Sequence, residues 1–271
     1  MYNIALQLYS VRDFCEKNLN DCLSQVSNMG FNAVELYSTF NLEAEELKAK
    51  CDHYNLSICS AHVSLNMLNK KNIYDTLKYH KKIGNSVLVI PNINTSSFGY
   101  KYLKLINFFL KKSWNPKIKR SLDDWSTAIN QINEVYKIVR DEGMELGYHN
   151  HQEEFIDLGN NICPWDLLNE YLDPGVFFQL DIGNLYSSGT DIIKTFNSSS
   201  HEIRSVHCKP FSKNKEIPVI GSDDIDWVSI AQYLKTYEVI EWYIIETDSL
   251  AGNTLQNSRS NLESLLRLIR S

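Results

Sequence analysis

A chain of 271 residues is too long for a small disulfide-stapled domain and matches an α/β barrel of about 250 residues, so residues 1–271 are expected to form a single domain. The net charge of −6 and pI near 5.7 exclude the basic footprint that nucleic acid demands, and the densest basic stretch, KKSWNPKIKR at 111–120, reads as a solvated loop. Six cysteines without a CxxC pair, no basic secretory start and no apolar run near ~18 residues point to reduced thiols in a cytoplasmic protein with no membrane partner.

In chain order, short apolar runs alternate with segments of helical period. IALQLY (4–9) precedes LNDCLSQVSNMG (19–30), AVELY (33–37) precedes LEAEELKAKCDHY (42–54), and SICSAHV (57–63) precedes IYDTLKYHKKIG (73–84). SVLVI (86–90) is followed by a connection from 91 to 120 without clear period, read equally as a lid over the mouth or as a packed extra helix, and then by a long helix over 122–143. ELGYHNH (145–151), VFFQLDI (176–182), IRSVHCK (203–209) and WYIIET (242–247) are the last strands, and helical patterns at 163–172, 191–196, 226–237 and 253–270 follow them. Eight strand-then-helix units predict a (β/α)8 barrel. The rival open, doubly wound sheet usually carries a Gly-rich first turn, whereas SVRDFC follows the first strand here.

In such a barrel the active site lies at the C-terminal ends of the strands. Those ends offer Gln7 and Tyr9, Glu35, His62, the GYHNHQEEF stretch at 147–155, Asp181, His207 with Lys209, and Glu246 with Asp248. Charged groups inside apolar runs are costly to bury unpaired, so Asp181 in FFQLDI and Glu246 in YIIET call for a partner or a role. A carboxylate near 154, Asp181, His207 and Glu246 come from four consecutive strands about 4.8 Å apart and can converge on one ion. Three carboxylates and one imidazole favour Mn²⁺, Mg²⁺ or Co²⁺ over a structural zinc site, with Zn²⁺ kept as an alternative.

QLYSVRD (7–13), GFNAVEL (30–36), SAHVS (60–64), GYHNHQEEF, QLDIGN (179–184), SVHCK (205–209), DIDW (224–227) and IIETD (244–248) together resemble the sugar phosphate isomerase/epimerase family, a group with a xylose isomerase-like TIM barrel. That resemblance implies a divalent metal held by Glu154, Asp181, His207 and Glu246, and it selects Glu154 over Glu153. The chain departs from the family at Asn184, where His or Trp is common, at Pro210 in place of an acid, and at Asp223 in place of a glycine.

The resemblance further implies a small-molecule carbohydrate substrate and an isomerase or epimerase mechanism. Adjacent oxygens of a keto sugar would chelate the ion, Mn²⁺ first, while Glu154 and Glu246 move a proton on opposite faces of the substrate carbon through an enediolate. His62, His149, His151, Asn184, Lys209, Gln7 and Glu35 are the candidate substrate contacts. Strand parity points His149 and His151 the same way. Two rivals remain at this point, a metal-dependent lyase on 3-keto glycosides and a catalytically silent sugar-binding barrel. A repair endonuclease would need more histidines and a basic groove, and the composition is compatible with a homo-oligomer.

Overall fold

The structure, a computed structural model, describes residues 2–93 and 120–270. The connection read as a lid or an extra helix lies almost wholly outside the described residues. Each predicted strand is present, generally shorter than its apolar run: β1 (Ile4–Gln7), β2 (Ala33–Leu36), β3 (Ser57–His62), β4 (Val87–Ile90), β5 (Glu145–His149), β6 (Phe177–Asp181), β7 (Ile203–Cys208) and β8 (Trp242–Ile245). They pair in sequence order, all parallel, and β8 closes on β1 through Ile4–Tyr243, Ala5–Ile244 and Leu6–Ile245. This is the (β/α)8 barrel that the alternation predicts.

The described helices are α1 (Arg12–Lys17), α2 (Leu19–Asn28), α3 (Ala44–His53), α4 (Ile73–Lys82), α5 (Leu122–Asp141), α6 (Pro164–Tyr171), α7 (Ile182–Ser188), α8 (Ile192–Ser198), α9 (Trp227–Lys235) and α10 (Thr254–Arg270). Their starts are local chemistry. Ser121 caps α5 in a reciprocal box with Asp124, and Asp226 caps α9 by accepting from the Ser229 amide at 3.2 Å. The sequence pattern does not show α1 or α7. A 3-10 turn over Leu8–Val11 leads from β1 into the short α1, whereas β6 runs straight into α7, with Asp181 closing the strand while also capping the helix.

Outward-facing strand residues such as Leu6, Val34, Leu146, Phe178 and Val206 meet the apolar stripes of the helices, including Leu23, Leu47, Trp125 and Leu265, in the main core. Each fully buried large side chain in this layer contributes about 1.5–3 kcal/mol. Inside the barrel, Ala5, Ala33, Cys59 and Ile244 form a separate apolar floor with Trp242 beside it. Gly147 belongs to this inner surface, where a Cβ would come within 2.4 Å of the Phe177 ring. Among the described residues no helix is long and apolar enough to cross a membrane.

His80 of α4 is buried, with the Asn85 side-chain amide donating to its Nδ1 at 3.1 Å, and burial pulls its pKa from 6.5 to about 4. Between those values the unfolded chain holds a proton that the folded chain does not. Stability therefore rises with pH across that window and is level above it. A His80→Gln variant should lose this dependence: urea unfolding at pH 6.5 and 5 is expected to cost the wild type roughly 2 kcal/mol more than the variant.

Candidate active site

Above the apolar floor, the inward positions of β1, β2, β3, β6 and β7 carry polar side chains that cannot reach water, so they must satisfy one another. Glu35, fully buried, accepts from Gln7 Nε2 at 2.9 Å, Ser60 Oγ at 2.8 Å, Gln179 Nε2 at 2.8 Å and His207 Nε2 at 2.6 Å. Burial alone would raise its pKa, but the facing His62 and His207 outweigh burial and bring it to about 2. Gln7 and Glu35, expected to contact substrate, instead form this supporting tier.

Gln179 decides two tautomers. Its Nε2 is committed to Glu35 and to Ser205 Oγ at 3.1 Å, so its Oε1 must accept from both His62 Nε2 at 2.8 Å and His149 Nδ1 at 3.0 Å. Burial, and then the neighbouring His207 and His62, hold His149 well below the usual imidazole range. It is a neutral ring with its proton on Nδ1 and a bare Nε2. That Nε2 lies 3.8 Å from Asp181 Oδ2.

At the next level, ligand atoms of His149, Asp181, His207 and Glu246 all lie within 4.8 Å of one another, and all four residues are buried. Asp181 is oriented by α7, accepting from the Asn184 amide at 2.8 Å and its side-chain nitrogen at 2.9 Å. Asn184 thus holds the aspartate and lies off the cavity lining. Burial lifts Asp181 to about 7 against the pull of Lys209. For His207, burial is overcome by Glu35 on one side and Glu246 on the other, which bring it up to about 10. Glu246 is held well below the carboxylate range because Lys209, then His207, outweighs its burial. Lys209 Nζ sits 2.6 Å from Asp248, 3.6 Å from Asp181 and 3.9 Å from Glu246, so these acids keep it charged despite burial. Its backbone is approached so closely by α7 that a Cβ on Gly183 would lie 2.6 Å from the Lys209 carbonyl.

Two carboxylates with two imidazoles are a donor set that fits a divalent cation. His149 presents a bare nitrogen, and the Glu35–His207 hydrogen bond is the outer carboxylate that orients a ligating imidazole. Glu154 does not join this set. Five positions beyond His149, it falls in a 3-10 turn (Glu153–Phe155) that folds back past the strand end. There its Oε1 accepts from the Tyr148 hydroxyl at 2.7 Å and its Oε2 from the His151 amide at 2.8 Å, with burial raising it to about 7. Its neighbour Glu153 pairs with Arg120.

A cavity of about 980 Å³ opens over the cluster, and His62, His149, His151 and Glu246 line it. Burial, and after it the charge of Lys209, lowers His151 to about 4, and its Nδ1 is buried with no hydrogen-bond partner.

A family model described as the xylose isomerase-like TIM barrel matches residues 23–270. The chain belongs to that family. This xylose isomerase-like barrel is 23% identical over 207 residues to an inosose dehydratase of Clostridium perfringens (strain 13 / Type A), an alignment covering 74% of this chain and 66% of that protein. It therefore spans just under two thirds of that relative's length. A sugar phosphate isomerase/epimerase from Parabacteroides distasonis ATCC 8503 superposes with a TM-score of 0.77 at 18% identity, over 98% of each chain. An L-ribulose 3-epimerase superposes with a TM-score of 0.68 at 11% identity, over 100% of this chain and 95% of that one. Such identities establish the fold alone. Within the family barrel, Gln179 and Ser60 were not singled out from the sequence. The parity signal for Gln179 was present, since it lies two residues before Asp181 on the same face of β6.

Proposed function

We propose that this xylose isomerase-like barrel is a divalent-metal lyase that removes the proton beside the carbonyl of a polyhydroxylated cyclic ketone and eliminates water. The observation that carries the proposal is the convergence of His149, Asp181, His207 and Glu246 beneath a cavity that His149, Glu246 and His151 line. The four converging residues would hold the ion. With two imidazoles in the set, Mn²⁺, Co²⁺ and Zn²⁺ rank ahead of Mg²⁺. When bound, the ion supplies the Lewis acidity that makes a C–H bond beside a carbonyl acidic.

The protein's own groups supply the rest. His151, neutral and on the cavity wall, accepts the proton as the C–H bond breaks, and the electron pair forms the C=C bond. The C–O bond at the next carbon breaks, and the departing hydroxide takes up the proton that His151 accepted and leaves as water, which returns His151 to its neutral form. His62, whose Nε2–H is committed to Gln179, has Nδ1 left to accept from a substrate hydroxyl.

Elimination is preferred to epimerisation because returning a proton to the opposite face needs a second acid or base there. Glu154, expected in that role, already accepts from Tyr148 and the His151 amide. The inosose dehydratase relatives support the same outcome. The isomerase or epimerase outcome remains the second reading, supported by the carboxylate of Glu246 on the cavity wall. The test is incubation of the Mn²⁺-loaded protein with an inosose and with a ketose panel in D₂O. Loss of water with appearance of an enone chromophore is expected from the inosose. Deuterium uptake with inverted configuration and no loss of water would establish the epimerase instead, and no exchange on any substrate would mean a silent barrel.

A further inference from the structure

Lys209 follows the last residue of β7, and its buried ammonium faces three carboxylates. The three contacts are unequal. Asp248 Oδ2 is in direct contact at 2.6 Å, whereas Asp181 Oδ2 lies at 3.6 Å and Glu246 Oε1 at 3.9 Å. The two more distant oxygens belong to residues of the cluster that fits a divalent cation. Glu246 Oε2 is taken by His207 Nδ1, so Oε1 is the Glu246 oxygen turned toward the ammonium.

Both members of the Lys209–Asp248 pair are held from behind. The terminal nitrogens of Arg12 donate to the Tyr9 carbonyl at 2.7 Å and to the Asp248 carbonyl at 2.8 Å, which ties the backbone of Asp248 to the end of β1. The stem of Lys209 lies against α7, where a Cβ on Gly183 would come within 2.9 Å of the Lys209 Cγ and 3.1 Å of its Cβ. What remains free is the ammonium itself, a compact charge on a flexible stem. A shift of about 1 Å is enough to bring it from its present place to the ~2.8 Å of a charge-assisted hydrogen bond with Asp181 or Glu246. There its charge competes directly with a divalent ion for the same carboxylates.

We propose that Asp248 is a positioning residue that sets the divalent-metal affinity of this site by drawing the Lys209 ammonium away from Asp181 and Glu246. This rests on the metal-holding reading of His149, Asp181, His207 and Glu246 above, and adds to it an internal cation that competes for two of the four. Asp248 acts through Lys209 more than through its own charge. Its side chain is 63% exposed on the cavity lining, where solvent and salt screen a lone carboxylate, whereas the ammonium it holds is buried beside the ligand oxygens.

Calorimetric Mn²⁺ titration of the full chain at pH 8 would compare the wild type with Asp248→Asn, Lys209→Met and the double variant. Asp248→Asn is expected to weaken binding more than about fivefold. Lys209→Met keeps an unbranched stem against Gly183 and removes the competing charge, so it should bind at least as tightly as the wild type. Adding Asp248→Asn to Lys209→Met should then change the affinity by less than about twofold, because the group through which Asp248 acts is gone. A purely structural role for Asp248 would instead give the same loss in both backgrounds. Thermal unfolding of each variant verifies the fold. A smaller loss in Asp248→Asn, a loss that persists in the Lys209→Met background, or weaker binding by Lys209→Met itself would overturn the inference and leave the ligand set standing. A wild-type protein that binds none of Mn²⁺, Co²⁺ and Zn²⁺ would overturn the metal reading, and this inference with it.

Discussion

His149→Ala is expected to weaken divalent-metal binding more than 100-fold, whereas Glu154→Gln should leave it within about threefold of wild type. The argument rests on where each lone pair points. His149 Nε2 is bare because Gln179 Oε1 can only accept, and this nitrogen faces the same small volume as Asp181, His207 and Glu246. Glu154 spends both carboxylate oxygens on Tyr148 and the His151 amide, and its glutamine replacement can still accept the Tyr148 hydrogen bond. Gln179→Ala should fall between the two, at the ~10–100-fold typical of a partner that orients a ligand. Uptake should also release about one proton per ion near pH 8, because His207, brought up to about 10 by Glu35 and Glu246, must give up its Nδ1 proton to ligate. Binding is therefore expected to weaken as pH falls. Calorimetric Mn²⁺ titration in buffers of different ionisation enthalpy measures both affinity and proton release. Metal lost from Glu154→Gln but kept by His149→Ala would return the fourth ligand to the carboxylate.

The legible parts of this site are those that strand geometry controls. Asp181, His207 and Glu246 could be read from sequence because each lies at or within one residue of the C-terminal end of an apolar strand, and in a parallel barrel consecutive strands deliver their ends to one mouth. His149 was equally legible as inward-facing, but nothing in its spacing reveals which ring nitrogen is bare. That depends on Gln179 of the neighbouring strand and on Glu35 across the barrel. Glu154 illustrates the converse. Its place in a motif is a fact about sequence, whereas its direction is set by the turn at 153–155, whose backbone path no hydrophobic period encodes. The helices α1 and α7 were hidden for a related reason. Both are short: α7 takes its cap from the last residue of β6, and α1 follows a 3-10 turn at Leu8–Val11 with no side-chain cap, so neither start carries a turn signal in the sequence.

The same distinction between what a residue is and what its neighbours leave it free to do singles out His151. Its replacement by Ala should lower kcat by about 10²–10⁴, the range for a lost general base, with metal content and fold retained. His151 lines the cavity, its amide is tied to Glu154 and its ring packs against His149, so the imidazole is held at the cavity wall. Burial comes first among the causes that lower its pKa to about 4, and the positive Lys209 is second. A base acts only when unprotonated, so the sign is clear: activity should stay level from pH 8 down to about 6 and decline only as pH approaches the lowered value. An exposed imidazole would already be losing activity near 6.5. Lys209→Met removes the second cause and should move the acid limb upward, toward neutral pH. The comparison requires kcat profiles of both proteins at saturating metal, because acid also weakens ion binding. A His151→Ala enzyme within tenfold of wild type, or an acid limb unmoved by its loss, would place the base elsewhere on the cavity wall, with Glu246 the next candidate.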